Sequence, residues 1–430
     1  MILKLMPHQE QVLDNTANFD HVAYYLDMGL GKTFVGAEKL WELNNAVNLV
    51  ICQKSKVQDW IDHFKEYYPE YHVYDLTKRK ESTVFMNEVE SLSFYDDRPD
   101  VIGVINYDIC FRRDWLKKLQ NFTLLLDESS LISNENTKRA KAVLKMNPES
   151  VILLSGTPTA GKYEKLWSQL KLLGWNIDKD AYWKSYVDTE WIEDGDFYRQ
   201  VILGYKNTDH LKKRLAQHGA VFMKTEEVMN LPEQVEQFIM LNPTKQYRSF
   251  CKKDYLMMPD GTELVGDNSL TKILHQRQLC GQYHADKLQA FRDLIDSTND
   301  RLIVFYNFNA ELDAMWQIAK EADRPRSVLN GNEKHLDEYN DFDDSITFIQ
   351  YQAGAMGGNF QKANRIIYFT LPLGKGSCDL WEQSKKRIHR IGQERTCFYY
   401  YLLVKDSIET LNLESLRIGK DLTNELFQKH

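Results

Sequence analysis

The stretch DMGLGKT, Asp27–Thr33, constrains the fold of this chain more than any other. It follows a short apolar run, Val22–Leu26, and precedes a helix-patterned segment, Thr33–Leu43. A phosphate-binding loop needs that strand–loop–helix order. Gly29 and Gly31 let backbone N–H groups approach anionic oxygens closely, and the following helix adds the positive end of its dipole. Such a loop belongs at the carboxyl end of a parallel strand, so the rest of the chain is read for a parallel sheet.

The pattern is there. Apolar runs at Val47–Cys52, Val101–Asn106, Thr123–Leu126 and Val151–Ser155 alternate with polar, helix-patterned segments such as Trp60–Tyr67. Buried strands alternating with helices predict a parallel sheet covered on both faces. The pattern restarts at Leu302–Tyr306, Ser345–Gln350, Arg365–Phe369 and Thr396–Val404. The expected fold class is α/β, with two RecA-like parallel-sheet lobes and helical insertions. The expected boundaries are 1–230, with an insertion at about 161–220, and 231–430, with an insertion at about 244–282. Leu231-Pro232 and Asn242-Pro243 mark the change between lobes, because the residue before a proline leaves the helical region. Trp167, Trp175, Trp183 and Trp191 are expected in the core of the first insertion.

The chain has 430 residues and a net charge of −8, which excludes a wholly basic nucleic-acid protein but not a local basic track. Its six cysteines form no CxxC pair, so neither a zinc ribbon nor a redox motif is expected. With no signal-like start and no apolar run near the ~20 residues of a membrane span, the expected location is cytoplasmic (host cytoplasm for a viral protein), with no membrane partner.

The candidate chemistry follows from the loop. Met28, Gly29, Leu30, Gly31, Lys32 and Thr33 would cradle the phosphates of ATP; Lys32 would reach the β- and γ-phosphates, and the Thr33 hydroxyl would bind Mg²⁺. LLLDESS, Leu124–Ser130, is an apolar strand ending in two carboxylates. Asp127 would hold Mg²⁺, and Glu128 would orient and deprotonate the attacking water. LLSGTPT, Leu153–Thr159, ends another strand in hydroxyls, with Ser155 and Thr157 placed to sense the γ-phosphate. QSKKRIHRIGQ, Gln383–Gln393, puts Arg387 and Arg390 three residues apart, on one face if the stretch is helical.

In this order and spacing the chain resembles the Swi/Snf-like branch of superfamily 2 helicase-type ATPases, which act as double-stranded DNA translocases. LMPHQEQV resembles the adenine-reading motif of that family, with Gln9 as base contact. VICQKSKVQDWIDHF, VINYD, FMKTEEVMNLPEQ, LTKILHQRQLC and QAGAMGGNFQKANRIIYF resemble later motifs, the third of these being the linker into the second lobe. The resemblance implies ATP and Mg²⁺ as cofactors, Arg387 and Arg390 as arginine fingers, and Gly358 beside the nucleotide. It also implies a sequence-independent track on duplex DNA. The expected nucleic-acid contacts are Lys54, Ser55, Asn106 and Tyr107 early in the chain. Ser155, Thr157, Asn307, Gly354 and Asn359 follow later.

The expected function is a DNA-dependent ATP hydrolase that translocates on double-stranded DNA without robust strand separation. The alternatives are a strand-separating superfamily 2 DNA or RNA helicase, and a nucleotide-dependent DNA-binding scaffold with little turnover. The chain departs from the family at Tyr25 and Leu26, where small and acidic residues are usual, and at Ser129 and Ser130, which close the acidic box. A chain this short reads as a bare motor of phage type, with a protein partner supplying target specificity.

Overall fold

The computed structural model describes residues 4–92, 100–159, 162–194, 197–228, 230–351, 359–374 and 376–427. The chain divides into two compact units, Met1–Met229 with Asp421–His430, and Asn230–Lys420.

The first unit is built on seven parallel strands. In chain order these are β1 (His21–Leu26), β2 (Val47–Cys52), β3 (His72–Asp75), β4 (Val101–Asn106), β5 (Phe122–Asp127) and β6 (Ser150–Leu154). After a hairpin of β7 (Val187–Asp194) and β8 (Phe197–Tyr205) comes β9 (Ala220–Met223). Their spatial order is β3-β4-β2-β5-β6-β1-β9. Both faces are buried. Along β1, Ala23 and Tyr25 enter one apolar cluster and Val22, Tyr24 and Leu26 the other. A strand with no solvated face has no use for alternating polar residues, so it reads as an unbroken apolar run.

The second unit repeats the design. Its strands are β10 (Gln234–Leu241), the small hairpin β11 (Tyr255–Met257) and β12 (Glu263–Val265), then β13 (Leu302–Tyr306) and β14 (Arg326–Leu329). β15 (Lys334–His335), β16 (Ile346–Gln350), β17 (Arg365–Tyr368) and β18 (Cys397–Val404) complete it. The sheet order is β10-β18-β17-β13-β16-β14-β15, parallel except where β15 turns back on β14. Lys287 and Glu409 pair at 2.5 Å with both side chains buried, joining the helix Ala285–Asp296 to the C-terminal helix Ile408–Phe427.

Three expectations are corrected. The region taken as a helical insertion does carry the helices Trp167–Leu172, Lys179–Tyr186 and Thr208–Gln217, but the β7–β8 hairpin lies between them. Trp167, Trp175 and Trp183 pack into the core, whereas Trp191 sits on that hairpin at 64% exposure, because an isolated two-stranded ribbon has no covered face. The region 244–282 likewise contains the β11–β12 hairpin between the helices Lys245–Lys253 and Ser269–Cys280. Finally, Phe222 and Met223 are no linker. They belong to β9, paired with Tyr25 and Leu26. Among the described residues no helix is long and apolar enough to cross a membrane.

Candidate nucleotide site

The phosphate loop leaves β1 and enters the helix Lys32–Leu43 at its first turn. Gly29 and Gly31 have φ of 92° and 75°, the left-handed region in which a side chain is strained. Gly31 is also pinned from outside: a Cβ there would lie 2.1 Å from Gln9 Nε2. The same Nε2 donates to Leu30 O at 3.1 Å, and Gln9 Oε1 accepts from Met6 N at 2.8 Å. A ring nitrogen of His8 also meets Leu30 O at 3.1 Å. The helix Pro7–Asn15 thus braces the loop, with both ends of the Gln9 amide engaged within the chain. Lys32 Nζ folds back onto Leu26 O at 2.9 Å and Asp27 O at 3.2 Å, where an incoming phosphate would compete for it. Asp27 Oδ2 accepts from both Thr225 N and Thr225 Oγ1 at 3.2 Å, tying the loop to the segment after β9.

Asp127 closes β5, two strands from β1. Trp60 Nε1, on the helix Val57–Tyr67, donates to Asp127 Oδ2 at 3.0 Å, and the Tyr107 hydroxyl donates to Asp127 O at 3.0 Å. Burial pushes the Asp127 carboxyl up, while the Trp60 donor and the Lys32 charge pull it back. Glu128 follows with φ 56° and ψ 58°, a left-handed conformation uncommon for a side-chain-bearing residue. Strained backbone of this kind concentrates at functional sites, where the surroundings over-determine it.

SGTPT leaves β6, the strand between β5 and β1. Ser155 Oγ accepts from Thr157 N at 3.1 Å, and Thr157 Oγ1 is buried with no hydrogen-bond partner. A Cβ at Gly156 would stand 3.4 Å from Lys32 Nζ and 3.3 Å from Met28 Cγ. The turn therefore passes directly against the phosphate loop. Loop, acidic pair and SGTPT turn all leave the carboxyl ends of the adjacent strands β1, β5 and β6, the position where parallel sheets bind ligands.

Among the described residues no cluster of three or more His, Cys, Asp or Glu side chains is arranged to hold a metal. One carboxylate, Asp127, and one hydroxyl, Thr33, is nevertheless a donor set that suits Mg²⁺, which keeps waters and substrate phosphates as its other ligands.

In the second unit the helix Ser377–Lys385 stops before the arginines. Arg387 and Arg390 lie in the turn beyond it, which corrects the expectation of a shared helix face. Gln393 anchors that turn. Its Nε2 donates to Ile388 O, Ala363 O and Gln361 O at 3.2, 2.8 and 3.2 Å, and its Oε1 accepts from Glu394 N and Arg395 N at 3.1 and 3.0 Å. This buried amide ties the turn that carries both arginines to the segment Gln361–Ala363. Arg387 is buried, and Arg390 is half-buried with its guanidinium donating to Asn359 Oδ1.

The expected nucleic-acid contacts differ in exposure. Lys54, Ser55 and Asn359 are exposed. Asn106, Tyr107, Ser155 and Thr157 are buried, a departure from solvent-facing contacts: each stands where a strand ends, and the Tyr107 hydroxyl is committed to Asp127 O. Asn307 directs its amide to Thr370 Oγ1 at 2.9 Å and Leu371 O at 3.0 Å, inside its own unit. Gly354 and Gly358 lie outside the described residues. The bracing residues Trp60, Gln393 and Thr225 were not assigned roles from sequence, although all three stand inside the quoted motifs.

A profile of the SNF2-related domain matches residues 25–285. The chain is 24% identical to the ISWI chromatin-remodeling complex ATPase ISW1 of Saccharomyces cerevisiae over 90% of this chain and 37% of that protein. It is 22% identical to the uncharacterized ATP-dependent helicase MG018 of Mycoplasma genitalium, over 89% of this chain and 38% of that one. The chain thus spans about two-fifths of the length of these relatives. A solved structure, the Sulfolobus solfataricus SWI2/SNF2 ATPase core in complex with dsDNA, aligns with 99% of this chain and 93% of its own at 19% identity and a TM-score of 0.45. With 261 of its 430 residues inside the matched profile (285 − 25 + 1), the chain belongs to the SNF2-related domain family.

Proposed function

We propose that this chain hydrolyses ATP and couples the hydrolysis to movement along double-stranded DNA, without robust strand separation. The observation that carries this reading is the convergence of the phosphate loop, Asp127–Glu128 and the SGTPT turn on three adjacent strand ends. Relatives named as a chromatin-remodeling ATPase and an ATP-dependent helicase support it.

In this reading the amides around Gly29 and Gly31 and the Lys32 ammonium bind the phosphates, with Gln9 beside the base. Thr33 and Asp127 would hold Mg²⁺, which would supply charge neutralisation on the phosphate oxygens. Glu128 orients water and takes its proton. Ser155 and Thr157 stand against the loop and change their hydrogen bonds with the presence of a terminal phosphate. Arg387 and Arg390 are the proposed cations that stabilise charge on the transferring phosphoryl group. Lys54, Ser55 and Asn359 are the proposed contacts to DNA phosphates, and a protein partner supplies the target.

The test is the ATPase rate of the purified chain with no nucleic acid, duplex DNA, single-stranded DNA and RNA, beside the Glu128→Gln variant. Duplex DNA is expected to stimulate most, and Glu128→Gln to be inactive. Absence of hydrolysis with every nucleic acid overturns the reading in favour of a binding scaffold. Robust displacement of a strand from a tailed duplex overturns it in favour of a helicase.

A further inference from the structure

Gln169 lies in the short helix Trp167–Leu172 and is fully buried. Its Oε1 accepts two hydrogen bonds, from the Tyr25 hydroxyl at 3.0 Å and from Ser129 Oγ at 2.8 Å. Its Nε2 donates to Pro158 O at 2.8 Å. Tyr25 and Ser129 are themselves fully buried. The three partners come from three different motifs. Tyr25 stands two residues before Asp27, where β1 gives way to the phosphate loop. Ser129 follows Glu128, and Pro158 follows Thr157.

We infer that Gln169 is a positioning residue for hydrolysis, holding the turns that carry Glu128 and Thr157 in register with the strand that feeds the phosphate loop. This rests on the ATPase reading above. One amide reaches the exits of β5, β6 and β1, consecutive neighbours in the sheet. Those exits are where the backbone stops being fixed by the strand ladder. Glu128 in particular sits at φ 56°, a conformation that its neighbours must hold. The two hydroxyls that Gln169 gathers come from Tyr25, on the strand that feeds the phosphate loop, and Ser129, on the acidic turn. A buried tyrosine and a buried serine thus share one acceptor, and neither is left unsatisfied. Packing alone would be served by apolar residues at all three positions. An amide that donates to one turn and accepts from two strand ends instead fixes their relative placement, and sub-ångström placement governs the water attack.

The test compares ATP affinity and turnover in the full chain for Gln169→Met, which keeps the volume and removes the three hydrogen bonds. Turnover with duplex DNA is expected to fall about tenfold to a hundredfold, with the ATP dissociation constant changing less than about threefold. Ser129→Ala and Tyr25→Phe, which delete one atom each and keep the fold if Gln169→Met does not, are expected to lower turnover less, and each to be non-additive with Gln169→Met. Wild-type turnover in Gln169→Met overturns the inference, as do equal losses of affinity and turnover or strict additivity of the pairs. If the wild-type chain itself hydrolyses no ATP, the functional reading fails instead, and the two failures are distinct.

Discussion

Trp60 and Asp127, 67 residues apart, are joined by an N–H···O bond of 3.0 Å between indole and carboxylate. The bond holds the proposed Mg²⁺ ligand in one rotamer and opposes the upward pull of burial on its pKa. Groups that orient a metal ligand are worth about 10- to 100-fold in metal affinity. Trp60→Phe keeps a ring stacked on Phe64, 5.6 Å away, and loses only the donor and part of the volume. It is expected to raise the Mg²⁺ concentration for half-maximal hydrolysis by about tenfold, with the rate recovering at saturating Mg²⁺. A Mg²⁺ titration of ATPase rate checks it, and an unchanged midpoint removes Trp60 from that role.

Glu128→Gln removes the proposed base and leaves the backbone demand unchanged. Since general-base catalysis contributes roughly 10²- to 10⁴-fold, turnover is expected to fall by at least about 10². ATP affinity and thermal midpoint should stay at the wild-type values. Fluorescent-nucleotide titration beside a single-turnover assay separates the two quantities.

Arg390→Ala is expected to lower hydrolysis by about 10³-fold or more while leaving ATP binding within about twofold. Arg390 is the cleaner test, because it is half-buried whereas Arg387 is buried and its truncation also disturbs packing. Asn359→Ala releases the Arg390 guanidinium from its side-chain acceptor and is expected to give a smaller loss. Normal turnover in Arg390→Ala would sink the arginine-finger assignment.

The strands were legible from sequence because a doubly covered parallel strand is an unbroken apolar run, and Val47–Cys52, Val101–Asn106 and Leu302–Tyr306 fall as expected to the residue. The edge strands were not. β3 (His72–Asp75) carries only two apolar-bodied residues in four, and β15 is two residues long, so neither has a pattern to read. The β7–β8 hairpin was missed for a related reason. Its run VDTEWIED mixes charge with aromatics, and the neighbouring tryptophans suggested a core. At the candidate site, the groups that do chemistry announce themselves by motif. Gln169 and Gln393 do not, because one amide satisfying several backbone and hydroxyl groups leaves no spacing signal. Arg387 and Arg390 misled in a related way: their three-residue spacing suits a helix, but the helix stops at Lys385 and they fall in the turn that Gln393 anchors.

Gln393→Leu tests that last relationship. The substitution leaves the carbonyls of Ile388, Ala363 and Gln361 without this donor, and the N–H groups of Glu394 and Arg395 without this acceptor. A buried polar group left unsatisfied costs about 1–3 kcal/mol, and several are affected here. The chain is expected to lose about 2–4 kcal/mol of stability in urea unfolding. Hydrolysis should fall with it, because the turn carrying both arginines loses its anchor. Gln393→Glu, which keeps the acceptor side and loses the donor side, is expected to fall between.

His63 sets a pH dependence. It is buried in the helix Val57–Tyr67 among Phe34, Trp60, Tyr67 and Phe64, with ring centroids 5.0 to 6.1 Å away. Burial lowers its pKa to about 4, against the smaller opposing pull of Glu66. The unfolded chain protonates this ring near its ordinary value of about 6.5, so between the two values the unfolded state binds more protons. Stability contributed by the neutral ring is therefore complete above about pH 6.5 and is progressively lost as pH falls toward 4. Because Phe34 is on the phosphate-loop helix, the loss should be felt there first. His63→Phe, which cannot charge, is expected to flatten the fall in urea midpoint across that window while leaving the neutral-pH value within about 1 kcal/mol. Parallel curves for the two proteins from pH 7 down to about 4.5 would mean that His63 is not the group responsible.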